Sequence, residues 1–586
     1  MTLNGIVGGT SLNSLSISGP STLGANVTTS GTQTYSGAVT VSGSGTRTLT
    51  GTTVTNSSTL DGGAIALTIT GNASIGGAIT NVTNLSVSGT SAIGANVTTT
   101  GTQTYTGAVT LSASPTLTTT SSTITFSSTV NSDSTTRNLT FGAGSGNAVF
   151  TGAVGNSAAL GTITNIAGQT LTFSDAVTAT TIANYGTLLF NATSAKTISP
   201  AITDNGTTTI QVISNSDSNI SQITFSGNIA ADTITIGTTT KAGSALFNGT
   251  VTGTNINVVG GDAASSAENS QATFADTVTV TAITLDDNTS SAAVTFSGTA
   301  KTITGTINGL ATTEGTITVS GTPTFASTIG NTQRVSQLTI NGATTFQAAV
   351  RTNALTTTAA IANGTTLDVA STSTIGANVT TSGTQTYTGA VTLSANDTFT
   401  TTANGSVSFG GAIDGNATGK TLTISANGTG NTTFTGAVGA TNALGNITIT
   451  TNALTAAAIK LAGTLSITNA ASSSITGIIS NGASAASLTK DGAGSLTLSG
   501  ANTYSGGTTL SAGTLYIGVN TVYSSGITSS AIGTGTLTLG SATISSNANT
   551  TSGDRTLYNA VAFSSSPTTT VFGDGTYTGI LNFQTG

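Results

Sequence analysis

"QTYTGAVTLS" occupies residues 103–112 and returns letter for letter at 385–394, with "QTYSGAVTVS" at 33–42. The phrase is one case of a looser pattern: an aromatic residue, three mostly small residues, then an aliphatic one. It reads Tyr35/Val39, Tyr105/Val109, Phe126/Val130, Phe150/Val154, Phe173/Val177, Phe225/Ile229, Phe247/Val251 and Phe274/Val278. It continues as Phe325/Ile329, Phe346/Val350, Tyr387/Val391, Phe409/Ile413 and Phe434/Val438, while Phe296 and Tyr504 keep the form with Ala300 and Thr508. Neighbouring aromatics lie mostly 21–29 residues apart, and the longer gaps approach two or three such units. A period of that size marks a solenoid or array, in which no unit can bury a core alone.

Between the aromatics, segments such as "SLSIS" (14–18), "TITIG" (233–237) and "TLTIS" (421–425) alternate apolar and hydroxyl residues. That alternation means strands with one face buried and one wet. No helical period is sustained, which argues against leucine-rich, ankyrin and tetratricopeptide arrays. Three short strands with turns fit one coil, so the sequence predicts an all-β chain, a right-handed parallel β-helix of about 25 coils. In "FSDAV" (173–177) and "FADTV" (274–278) an Asp stands two residues after the ring. It should not enter a dry core. The aromatic is therefore read as ending a strand, the small residues as a corner, and the aliphatic as opening the next strand.

On this reading Tyr35, Tyr105, Phe126, Phe150, Phe173, Phe225, Phe247, Phe274, Phe325, Phe346, Tyr387, Phe409, Phe434 and Tyr504 form a structural core stack. Each ring is expected above its counterpart, about 4.8 Å along the axis, giving a rod of about 120 Å.

Composition agrees. Only 5% of residues are charged, hydrophobic residues make up 36%, and the net charge is −7. Ordinary soluble domains carry about 25% charged residues. The few Lys and Arg are spread thinly, so no basic patch suits nucleic acid. There is no Cys, hence no disulfide, and no His or Trp. No apolar run is long enough for a membrane helix. The opening "MTLNGIVGGT" does not read as a signal peptide. Export would then require a leader lost or lying upstream.

A coarser repeat overlies the first. "GANVTT" (94–99) through "FTGAVG" (150–155) returns as 376–381 through 434–439. Residues 94–155 and 376–439 are thus duplicated blocks within 1–485, a run of degenerate repeats. Residues 486–586 are expected to continue the same solenoid with no separate linker.

Residues 490–518 read "KDGAGSLTLSGANTYSGGTTLSAGTLYIG". This stretch resembles the passenger-associated transport repeat of bacterial autotransporters, with "GTGTLTLGSATI" (533–544) and "RTLYNAV" (555–561) similar to its continuation. The resemblance implies a β-helical passenger that a C-terminal barrel carries across the outer membrane, for display or release outside. No barrel pattern follows here, so the chain is read as a fragment or as a repeat recruited for another surface assembly.

Chemistry is sparse. Without His or Cys, a Ser nucleophile would need Lys or a carboxylate as base, and no supporting motif accompanies one. The expectation is no enzyme, no catalytic residue and no cofactor. Asp262, Asp286 and Asp287 belong to the densest acidic group, with Asp262 and Asp286 one period apart. They are a candidate Ca²⁺ site, although turn aspartates that favour solubility are the preferred reading. Thr-x-Thr ranks at one fixed period, which could match the ice lattice, are not visible along the chain. With nine Tyr and no Trp, an aromatic sugar platform is disfavoured.

Two readings remain. The first is an extracellular adhesin or surface fibre on the bacterial outer surface, contacting host or neighbouring cell surfaces. The second is a self-assembling subunit of a filament or surface layer, whose partner is itself because open β-helix ends template stacking.

Overall fold

The computed structural model describes residues 1–9, 12–214, 220–262, 269–547, 553–565, 567–573, 575 and 579–585. Among the described residues the regular structure is short β-strands, with no α-helix. The chain divides into two compact units, Met1–Thr295 and Phe296–Gly586. Each is a parallel β-solenoid in which a strand pairs with strands about one coil before and after it.

Local chemistry explains the strands. Thr170–Phe173 alternates half-buried Thr with buried Leu171 and Phe173, and most strands follow that two-residue rhythm. β-branched Thr, Val and Ile suit the pleat. Between "QTY" and "VTL" the chain turns a corner: Gln103–Tyr105 ends on its ring and Val109–Leu111 opens on its valine. The corner must be small because corners stack backbone on backbone. A Cβ on Gly411 would lie 2.4 Å from the carbonyl carbon of Gly389, and one on Gly436 2.3 Å from that of Gly411.

In unit 1 three inward files can be followed. The first runs Val87, Tyr105, Phe126, Phe150, Phe173, Phe190 and Val212. The second runs Val109, Val130, Val154, Val177, Ile198, Phe225, Phe247 and Phe274. The third runs Leu139, Ile163, Ile182, Ile202, Ile229, Val251 and Val278.

The rings therefore do not form one column, and this corrects the sequence expectation. Tyr105, Phe126, Phe150, Phe173 and Phe190 stack at centroid distances of 5.3, 4.8, 4.9 and 5.5 Å. The ladder then steps sideways. Phe190 meets Phe225 edge-on at 5.1 Å, and Phe225, Phe247 and Phe274 stack at 5.0 and 5.1 Å in the file that Val130, Val154 and Val177 occupied before. The aromatic-to-aliphatic phrase has moved by one strand around the coil.

Unit 2 repeats the device. Phe325 and Phe346 stack at 5.2 Å, with Phe296 edge-on to Phe325. Their aliphatic partners Ile329 and Val350 lead into Leu367, Gln385 and Val407, so the next ring file starts one strand further round. There Tyr387, Phe409 and Phe434 stack at 5.1 and 5.4 Å. Phe399 packs edge-on against Tyr387 and Phe409. Two rings of the expected stack stand apart. Tyr35 is buried between Ile17 and Asn56, and Tyr504 is buried with its hydroxyl bonded to Thr508.

Candidate functional site

The repeated "QTY" builds a polar network inside the core. Gln103 is fully buried; its Nε2 donates to Val97 O at 3.1 Å and Thr118 O at 2.9 Å, and its Oε1 accepts from the Tyr105 hydroxyl at 3.0 Å. Gln33 with Tyr35 and Gln385 with Tyr387 reproduce it, reaching Val27 and Thr50, and Val379 and Thr400. Thr29, Thr99 and Thr381 each close the adjoining turn by donating to a glycine carbonyl two residues on. Burial raises the pKa of all three tyrosines, so the hydroxyls stay protonated donors. The "QTY" of the phrase recurs because Tyr and Gln satisfy each other and the Gln amide caps backbone carbonyls of two coils, and a fully paired buried polar network rigidifies a core.

The candidate acidic site resolves into turns. Asp286 Oδ1 accepts the Asn288 N–H at 2.9 Å and Asp287 Oδ1 accepts the Ala292 N–H at 2.7 Å, while Asp262 is exposed. No three acidic side chains gather around a metal-sized space among the described residues. Glu268, another acidic residue of this stretch of sequence, lies outside the described residues. At the corners, Asp175 faces outward and pairs with Lys196 at 2.7 Å.

Two ionisable groups that the sequence reading passed over point inward. Asp397 opens the strand Asp397–Thr401 and is 2% exposed. Neither of its oxygens has a hydrogen bond of normal geometry. Desolvation pushes its pKa up to about 6, against weaker pulls from the Ala395 N–H and the Lys420 charge. Lys490 is fully buried in the file between Ile467 and Leu510. Its Nζ donates to the carbonyls of Asp491 at 2.7 Å, Gly492 at 2.9 Å and Ala512 at 3.3 Å. Above it lies an open groove lined by Gly492, Ala493, Ala512, Gly513 and Thr514. The ammonium ties two successive coils together at their turn.

These coils carry a match to a family model. The passenger-associated-transport-repeat family model covers residues 488–517. No curated protein and no solved structure matches the chain. The matched span is 30 of 586 residues, from Ser487–Asp491 through Thr514–Ile517 in strand terms, and it sits in register within the solenoid of unit 2. A transport repeat embedded in a β-solenoid fits an autotransporter passenger, and the family implies a secreted or outer-surface protein. Within the repeat, "KDG" is the turn that Lys490 closes and "NTY" places Asn502 and Tyr504 in the interior.

Burial lowers the Lys490 pKa to about 8, with the Asp491 charge pulling the other way. A folded pKa below the unfolded one means that the charged form is penalised on folding. The penalty is complete below pH 8 and is relieved as pH rises toward about 10.5. Unfolding curves at pH 7, 8.5 and 10 should therefore show the native chain gaining stability relative to Lys490→Met across that window. Equal slopes for the two proteins would place the ammonium in water.

Proposed function

We propose that this chain is a non-enzymatic, adhesive or structural surface element of a bacterium, a solenoid passenger displayed on or released from the cell. The observation that carries this reading is the transport repeat at 488–517 built into continuous parallel coils. A repeat of a transported family inside the same strand ladder supports export of the ladder with it. Low charge lets hydroxyl-rich faces approach another surface without strong repulsion, and host or neighbouring cell surfaces are the partners of this reading. The inward ionisable groups Asp397 and Lys490 have structural surroundings, and we assign no turnover and no cofactor.

A second reading, a subunit of an extracellular filament or layer, draws on the apolar residues Val561, Phe563, Val571 and Phe572. They are exposed although their strands pair on one side with Leu537–Leu539 and Thr543–Ile544. Among the described residues no other strand pairs with their second side, and an apolar edge of that kind is a template for another coil.

Antibody labelling and protease shaving of intact producing cells test the first reading. Signal on whole cells or in the medium is expected, and signal only after lysis would refute it. Negative-stain images of the purified chain then separate isolated particles from filaments, the outcome that would favour the second.

A further inference from the structure

Sequence spacing hides a two-dimensional array that register reveals. In unit 2, Val379–Thr381, Asp397–Thr401, Leu422–Ala426, Ile447–Thr451, Thr464–Asn469 and Ser487–Asp491 pair in parallel, one coil above another. Their outward positions make two adjacent ranks. One rank is Thr398, Thr423, Thr448, Ser466 and Thr489; the other is Thr380, Thr400, Ser425, Thr450 and Thr468. Coils of unequal length separate these residues along the chain, by 25, 25, 18 and 23 positions in the first rank. No fixed period along the chain could have shown these ranks; register between strands does. The turns absorb the length differences and the strands stay in register.

Three properties set the face apart. Apart from Ser425, whose Oγ donates to Asn427, the hydroxyls of the two ranks make no hydrogen bond to the protein among the described residues, whereas inward Thr381, Thr401 and Thr451 all do. No charged side chain interrupts the ranks before Asp491, and no aromatic residue stands in them. The β-branched side chains are stiff about χ1, so hydroxyl and methyl positions repeat with the backbone. In the other sheet, Thr432–Phe434 and Leu454–Ala456 each present one outward residue, Thr433 and Thr455, in single file.

We propose that this face binds the surface of crystalline ice. Strands about 4.8 Å apart, with outward residues about 6.7 Å apart along each strand, place hydroxyls on a rectangular net. That net is close to the oxygen repeats on a prism face of hexagonal ice. Free hydroxyls can bond to lattice waters while the intervening methyls hold the next waters in ordered cages. An uncharged face complements an uncharged lattice, since a fixed ion would draw its own hydration shell. A flat polysaccharide is the rival, and the lack of stacking aromatics argues against it. The inference is independent of how the chain reaches a cell surface.

The test is ice-affinity partitioning of the purified full chain, with crystal shape followed by microscopy. The chain should concentrate in slowly growing ice and facet the crystals. Thr448→Lys/Thr450→Lys/Thr468→Lys, all at exposed positions, should fall to the level of a globular control protein. Thr433→Lys/Thr455→Lys on the other sheet should partition like the parent. Circular dichroism checks that each variant folds. If the lysine variant fails to fold, Thr448→Ser/Thr450→Ser/Thr468→Ser, which keeps the hydroxyls and loses the methyls, should still weaken partitioning. Exclusion of the parent chain from ice, equal partitioning of parent and rank variants, or retention on crystalline cellulose without ice binding would each overturn the proposal.

Discussion

Replacing Phe150 with alanine should destabilise unit 1 by about 3–5 kcal/mol, the range for truncating a fully buried aromatic residue. Phe150 sits between Phe126 at 4.8 Å and Phe173 at 4.9 Å, with Phe141 edge-on at 6.2 Å, and none of its surface is exposed. Truncation removes two stacked contacts and one edge contact and leaves a cavity walled by rings that the backbone ladder prevents from closing in. Stacked pairs contribute about 0.5–1.5 kcal/mol each beyond burial. In a solenoid each coil is held mainly by its neighbours, so the damage should be local. Hydrogen exchange should show lost protection centred on Ile124–Phe126, Ala148–Phe150 and Thr170–Phe173. Val149→Ala, on the outward side of the same strand, should cost much less. Equal effects from the two substitutions would mean that the rings do not hold the coils together.

Asp397→Val should have the opposite sign. In the parent, folding moves this carboxyl into the core between the Asp397–Thr401 strand and Leu422, its register partner in the next coil. Its folded pKa, about 6, exceeds the ordinary 3.8. The folded state therefore holds the proton more tightly, and stability is greatest below pH 4. It declines as pH rises from about 4 to 6, and at pH 7 the deficit is on the order of 3 kcal/mol. Valine fits the apolar file, removes the buried charge and should flatten that decline, raising the midpoint of unit 2 unfolding at pH 7. Asp397→Asn should flatten the decline as well, with a smaller gain, because an unpaired amide remains. The groups that act on it are the Tyr387 hydroxyl, which burial keeps protonated, and the Lys420 charge, which pulls weakly the other way. A parent chain whose stability is level from pH 4 to 7 would mean that water reaches Asp397.

The duplicated block explains why this position was hard to read. Residue 397 corresponds to Pro115 in the first copy, which is buried at the start of Thr116–Thr118. Leu117 and Phe399 then occupy equivalent inward sites. With Pro in one copy and Asp in the other, a sequence reader assigns a turn; only the ladder shows that the position faces the core. Lys490 was equally hidden, since an isolated lysine beside Asp491 and Gly492 looks like a solvated loop. Phe190 was missed for another reason. The residue four places on is Ser194, outside the aromatic-to-aliphatic pattern. The matching strings "TLTF" and "TLLF" at 170–173 and 187–190, only 17 residues apart, were the available signal.

Sequence alone determined that this chain is a stack of parallel coils, because side-chain period two and ring spacing near one coil are local properties written into each repeat. It also determined the transport repeat, a contiguous string needing no partner from elsewhere. Tertiary structure decided which rings touch, which threonines line up and which ionisable groups are buried. Those depend on register between coils of unequal length, and register is set by hydrogen bonds between strands about twenty residues apart, not by spacing along the chain.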